Sequence, residues 1–120
     1  MNIADTLQHY IYVPTNDNGN KYLQSEEVLF REEDFVEHQI SPVEFEAAWP
    51  LVEAINKACG SDIDLGEEDI LSPEQVGMAL KTIRGFRNPP GGLAFVSVRD
   101  RIAGILEQAA SLGYSVWFDF

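Results

Sequence analysis

The carboxylates are the side chains of this sequence best placed to do chemistry, and they are unevenly spread. Between Tyr22 and Glu74 stand 15 Asp and Glu against two basic residues, Arg31 and Lys57, a local balance of −13 that slightly exceeds the −12 of the whole 120-residue chain. Met1 to Lys21 and Gln75 to Phe120 are nearly neutral. Two runs concentrate the charge: Glu32, Glu33, Asp34 and Glu37, and then Asp62, Asp64, Glu67, Glu68 and Asp69. Clustered carboxylates can hold a hard cation, work as an acid–base pair, or attract a cationic surface. A one-sided negative field speeds encounter with basic partners and repels nucleic acid and anionic membranes.

The spacing argues against the first use. A calcium loop begun at Asp62 puts Gly66 at its fifth position instead of its sixth, and its twelfth is Pro73, which has no carboxylate to offer. Acid–base catalysis fares no better. His38 follows Glu32, Glu33, Asp34 and Glu37, but no nucleophile motif accompanies it, and it reads as a surface imidazole. His9 and His38 lack the spacing of a zinc pair, and Cys59 is the sole cysteine, so neither a disulfide nor a cysteine zinc site can form within the chain. Gly91-Gly92 has no following Lys-Ser/Thr and is a turn, not a phosphate loop. Arg84, Arg87, Arg99 and Arg101 make a poor nucleic-acid footprint against a net charge of −12, and pairing with the acidic half is their expected use. The expectation is a binding protein without catalysis, cofactor or metal.

The positioning elements are partly legible. The chain is one domain spanning residues 1–120, with 45% hydrophobic residues including seven Phe, four Tyr and two Trp. Ser41-Pro42-Val43-Glu44 combines an N-cap, a first-position proline and a third-position Glu, and predicts a helix whose buried face carries Phe45, Ala48, Trp49, Val52, Ile55 and Cys59. Pro50 predicts that this helix is kinked or is two pieces, and Gly60 ends it. Ser72-Pro73-Glu74-Gln75 repeats the signal, with Val76, Ala79, Leu80, Ile83 and Phe86 inward. Residues 87–92 read as an exposed connection, and a third helix is expected from about Val98 to Leu112, capped by Ser97 and ended by Gly113. Tyr114 to Phe120 alternates as a strand, with Tyr114, Val116, Phe118 and Phe120 on one face and Trp117 on the other, either under a second layer or an exposed anchor.

The first 40 residues are ambiguous. Tyr10-Ile11-Tyr12-Val13 with the Asn18-Gly19 step fits a strand or hairpin, a short helix from Ala4 to Tyr10 fits as well, Glu27 to Phe30 fits a strand, and Glu32 to Ile40 has no clear period. The expected fold is α+β, about three helices on a small sheet that includes the C-terminal strand. Asp5 stands where a signal peptide carries a basic residue, and no apolar run approaches the roughly 18 residues needed to cross a bilayer, so the expected location is the cytosol.

Two segments carry a likeness to a known family. Leu71-Ser72-Pro73-Glu74-Gln75-Val76 and Gln108 to Phe118 resemble the paired helix start and closing helix-to-strand of the YfbM-like bacterial family, although this chain lacks that family's long insertion between them. The resemblance implies a compact α+β bacterial domain and carries over no site. In size, acidity and lack of a catalytic motif, the chain is also similar to immunity proteins of bacterial toxin systems. The leading expectation is an immunity protein or antitoxin that occludes the active site of a basic toxin domain, with a nuclease as the expected toxin, through Glu32, Glu33, Asp34, Glu37, Asp62, Asp64, Glu67, Glu68 and Asp69. The rivals are a nucleic-acid-mimicking inhibitor and a small regulatory or structural subunit.

Overall fold

The computed structural model describes residues 9–25, 28–86 and 92–120. Strand β1 (His9–Pro14) leads into helix α1 (Asp17–Ser25), and a 3-10 turn (Glu32–Asp34) opens strand β2 (Phe35–Ile40). Helix α2 (Pro42–Cys59), strand β3 (Glu68–Leu71), helices α3 (Pro73–Arg84) and α4 (Gly92–Leu112), and strand β4 (Val116–Asp119) follow. The fold is α+β, with four helices among the described residues where the sequence predicts about three. The strands form one antiparallel sheet in the order β2-β1-β4-β3.

The two strongest sequence signals appear as expected. Ser41 Oγ accepts the Glu44 amide at 3.1 Å while the Glu44 carboxylate accepts the Ser41 amide at 3.0 Å, and Ser72 and Gln75 repeat the exchange at 3.2 and 2.9 Å. Pro50 lies within a single helix, on its exposed side. Helix α4 begins at Gly92, earlier than expected, so Ser97 lies within it and is not its cap. Phe95, 1% exposed, extends the buried stripe of Val98, Ile102 and Ile105 toward the N-terminus, and that burial outweighs the capping preference of Ser97. Gly113, at φ 71°, turns the chain out of α4 into β4 in a backbone conformation that a side chain disfavours.

The N-terminal third departs most from expectation. The Asn16-to-Asn20 cluster is not a hairpin turn but the start of α1, because Asn16 Oδ1 accepts the Gly19 amide at 3.0 Å in the manner of a helix cap. Gly19 is needed for space rather than for turning: a Cβ there would stand 2.6 Å from the Asp34 carbonyl oxygen. Of the proposed strand from Glu27, the described residues Val28 to Phe30 are irregular, while 32–40, which shows no period, contains β2. The alternative helix from Ala4 falls mostly outside the described residues, and β1 begins at its His9 end. The predicted connection at 87–92 likewise lies outside them up to residue 91.

Strand parity divides the sheet into two faces. His9, Ile11, Val13, Ile40, Leu71, Val116, Phe118 and Phe120 are buried, and Phe45 and Ile55 of α2, Leu80 and Ile83 of α3, and Ile102 and Leu106 of α4 lie in the same core. His9 is stacked on Phe45 at 4.2 Å between ring centroids, and His38, expected at the surface, is half-buried. Among the described residues, α2, α3 and α4 thus form one layer on this side of the sheet. Among the described residues no helix is long and apolar enough to cross a membrane.

Candidate functional site

On the second face of the sheet, α1 is the helix that the described residues place, and it lies against Trp117 through Tyr22. Antiparallel register aligns Tyr10 with Gln39 and Asp119, Tyr12 with Glu37 and Trp117, Glu68 with Asp119, and Ile70 with Trp117. Because successive strand residues alternate in side, all of these belong to one face. The central strands supply aromatic rings, with Tyr12 and Trp117 at 4.6 Å and Tyr10 and Tyr12 at 5.8 Å between centroids. Helix α1 and the segment before the 3-10 turn extend the cluster, placing Tyr22 and Phe30 5.3 Å apart and Phe35 6.0 Å from Trp117. Trp117 therefore stands on the outer face and is half-buried by neighbouring rings. Phe30 at 46% and Ile70 at 38% exposure keep the patch open to solvent.

Carboxylates rim these rings. The strands contain Glu37, Glu68, Asp69 and Asp119 and no Lys or Arg, whereas Lys57, Lys81, Arg84, Arg99 and Arg101 all lie on the three packed helices. Those helical cations are partly spent on local pairs: Arg84 with Glu107 at 3.0 Å and Arg101 with Glu44 at 2.8 Å. None of the ion pairs among the described residues uses Glu37, Glu68 or Asp119. Burial first, then the Glu37 and Asp119 charges, Tyr10, and Glu68, push the Tyr12 phenol up to about 12. Burial also raises the Asp119 carboxyl above its ordinary value. The Tyr12 shift reflects partial burial of the phenol among these carboxylates, where an arriving cation gains more than it would in bulk water.

The two sequence clusters meet this face unequally. Glu37 and Glu68 lie on it, one from each edge strand. Asp34 is buried, accepting from Asn16 Nδ2 at 2.9 Å and Asn18 Nδ2 at 2.7 Å, and these bonds hold its carboxyl below the usual range. Glu33 pairs with Arg31 at 2.7 Å, and Glu32 is exposed beside it. Asp69 accepts the Asp62 and Ile70 amides at 2.9 Å each, and Asp64 accepts the Leu65 amide at 2.7 Å. Asp62 and Glu67 are exposed on the connection into β3. The run from Asp62 to Asp69 is accordingly half loop and half strand, and no group of three His, Cys, Asp or Glu among the described residues is arranged to hold a metal ion.

Sequence reasoning missed Tyr10, Tyr12, Phe30, Phe35 and Asp119 as site residues. The available signal was parity: Tyr10 and Tyr12 share one side of β1, as Trp117 and Asp119 share one side of β4. Compared with protein-family models, curated proteins and solved structures, the chain matches none.

Proposed function

We propose that the protein binds a basic protein partner through the open face of its sheet, and that it acts as an immunity protein or antitoxin covering the cationic substrate cleft of a toxin domain. The observation that supports this reading is the pairing of the Tyr10, Tyr12 and Trp117 rings with Glu37, Glu68 and Asp119 on a face that carries no basic strand residue. Aromatic anchors supply most interface energy, and surrounding carboxylates supply orientation, on-rate and discrimination. Arginine-rich clefts built for phosphate complement such a surface in both respects.

The test is capture of partners from the native host, followed by titration of the purified partner against wild type and the triple variant Glu37→Gln, Glu68→Gln, Asp119→Asn. A basic partner whose affinity falls about tenfold or more in the triple variant, with unchanged near-ultraviolet circular dichroism, is expected. An acidic partner, unchanged affinity, or self-association through this face in sedimentation experiments would reject the reading.

A further inference from the structure

A cleft of about 330 Å³ opens beside Trp117, at the lower end of the size range of small-molecule sites. Its lining is Tyr22 and Leu23 of α1, Glu68, Asp69 and Ile70 of β3, and Trp117 of β4. Leu23 is buried, while the Tyr22 and Trp117 rings stand 6.5 Å apart at 49°. Ile70 is in register with Trp117, and Glu68 lies two residues before it, on the same side of β3. The Asp69 carboxylate is already committed to the Asp62 and Ile70 amides, which leaves Glu68 as the acidic side chain in the lining without an ion-pair partner among the described residues.

We infer that this cleft is an arginine-side-chain subsite: a partner's guanidinium lies against the Trp117 and Tyr22 rings, its aliphatic stem runs along Ile70 and Leu23, and Glu68 is its counter-ion. The inference rests on the open face being a partner-binding surface and specifies what enters it. Each component of the cleft matches one property of arginine. The guanidinium is planar and weakly hydrated, so it stacks on aromatic faces and forms forked bonds to a carboxylate, whereas an ammonium is a compact, strongly hydrated point charge. The mixed apolar and acidic lining disfavours an anionic nucleotide through Glu68, and disfavours a purely apolar group because Glu68 would then be desolvated without a partner.

The experiment needs no identified partner. The full chain is titrated with N-acetylarginine amide and, separately, N-acetyllysine amide, while the Trp117 indole and Ile70 amide resonances are followed by NMR. Saturable shifts of both resonances are expected with the arginine amide at concentrations on the order of 10 mM. Binding should be about threefold or more weaker for the lysine amide, and about threefold or more weaker for the arginine amide on Glu68→Gln. Glu68 is exposed, so this variant leaves the core untouched; Trp117→Phe, which keeps a ring in place, should weaken binding while retaining the arginine preference. Unmoved Trp117 and Ile70 resonances, equal affinity for the two amides, or unchanged binding in Glu68→Gln would overturn the inference. If the triple variant loses a basic partner while arginine amide leaves Trp117 unmoved, the subsite fails and the wider face stands. If arginine amide saturates the cleft but no basic partner depends on the face, the subsite stands and the wider reading fails.

Discussion

At Tyr12 the strand register brings a phenol between Glu37 on one side and Trp117 on the other, with Asp119 close by. Burial first, and then the neighbouring Glu37 and Asp119 charges, disfavour the phenolate and push its pKa up to about 12. Removing a neighbouring charge favours the phenolate, so Glu37→Gln should lower the Tyr12 pKa in an NMR titration; an unchanged value would mean that the carboxylate does not reach the ring. Asp34 makes the opposite case. Its folded pKa is depressed by the Asn16 and Asn18 bonds, so its contribution to stability is present above the unfolded value of about 3.9 and is lost as pH falls through the lower, folded value. Asp34→Asn should therefore lower Tm at neutral pH, and the gap to wild type should close on acidification below about pH 4. A gap independent of pH would assign the loss to packing instead of charge.

Among the elements, α3 tests the division between faces. Leu80 and Ile83 are 5% and 3% exposed and Lys81 points outward, so Leu80→Ala and Ile83→Ala should each destabilise by about 2–5 kcal/mol in denaturant titrations, with little effect from Lys81→Ala. The junction of α1 with the 3-10 turn is tested by Gly19→Ala. A methyl group 2.6 Å from the Asp34 carbonyl oxygen forces backbone apart, and overpacking of this kind costs about 1–3 kcal/mol. Because α1 carries Tyr22 and Leu23 into the cleft, the same change should also perturb the Trp117 environment, visible as a shifted indole resonance. An unperturbed indole would mean that α1 and the cleft are independent.

On the scale of the whole molecule, charge is partitioned between the layers. The edge strands β2 and β3 come from the acidic stretch between Tyr22 and Glu74, while the central strands β1 and β4 come from the nearly neutral ends and supply half of the rings, Tyr10, Tyr12 and Trp117. Long-range attraction from such a face is screened beyond about 8 Å at physiological salt, so the association rate of a basic partner should fall as salt rises from about 50 mM to about 500 mM, with a smaller change in dissociation. An association rate insensitive to salt would exclude steering and leave only an apolar interface. Position on the face should matter more than membership of a cluster. Neutralising Glu37, Glu68 and Asp119 should weaken binding more than neutralising Asp62, Asp64 and Glu67, since the latter three belong to the connection into β3.

The capped starts of α2 and α3, the inward stripe of α3 and the parity of β4 could be read from the sequence because each is local: a cap spans four residues, and a stripe or an alternation repeats within one element. The acidic stretch and the single cysteine are legible in the sequence as well: the first implies a cationic partner, and the second excludes a disulfide within the chain. What tertiary structure alone decided is which of those residues share a surface. Glu37 and Glu68 stand 31 positions apart in the chain and reach one face only through the order β2-β1-β4-β3, while Asp34, indistinguishable from its neighbours in sequence, is turned inward by Asn16 and Asn18. The start of α1 is not legible in the sequence for the same reason: Asn18-Gly19 is chemically suited to a hairpin turn, and the deciding contact, the Asp34 carbonyl against Gly19, comes from a residue 15 positions further along the chain. Pairing and packing between distant segments, not the preferences of any short run of residues, placed the rings of β1 and β4 between two acidic edges.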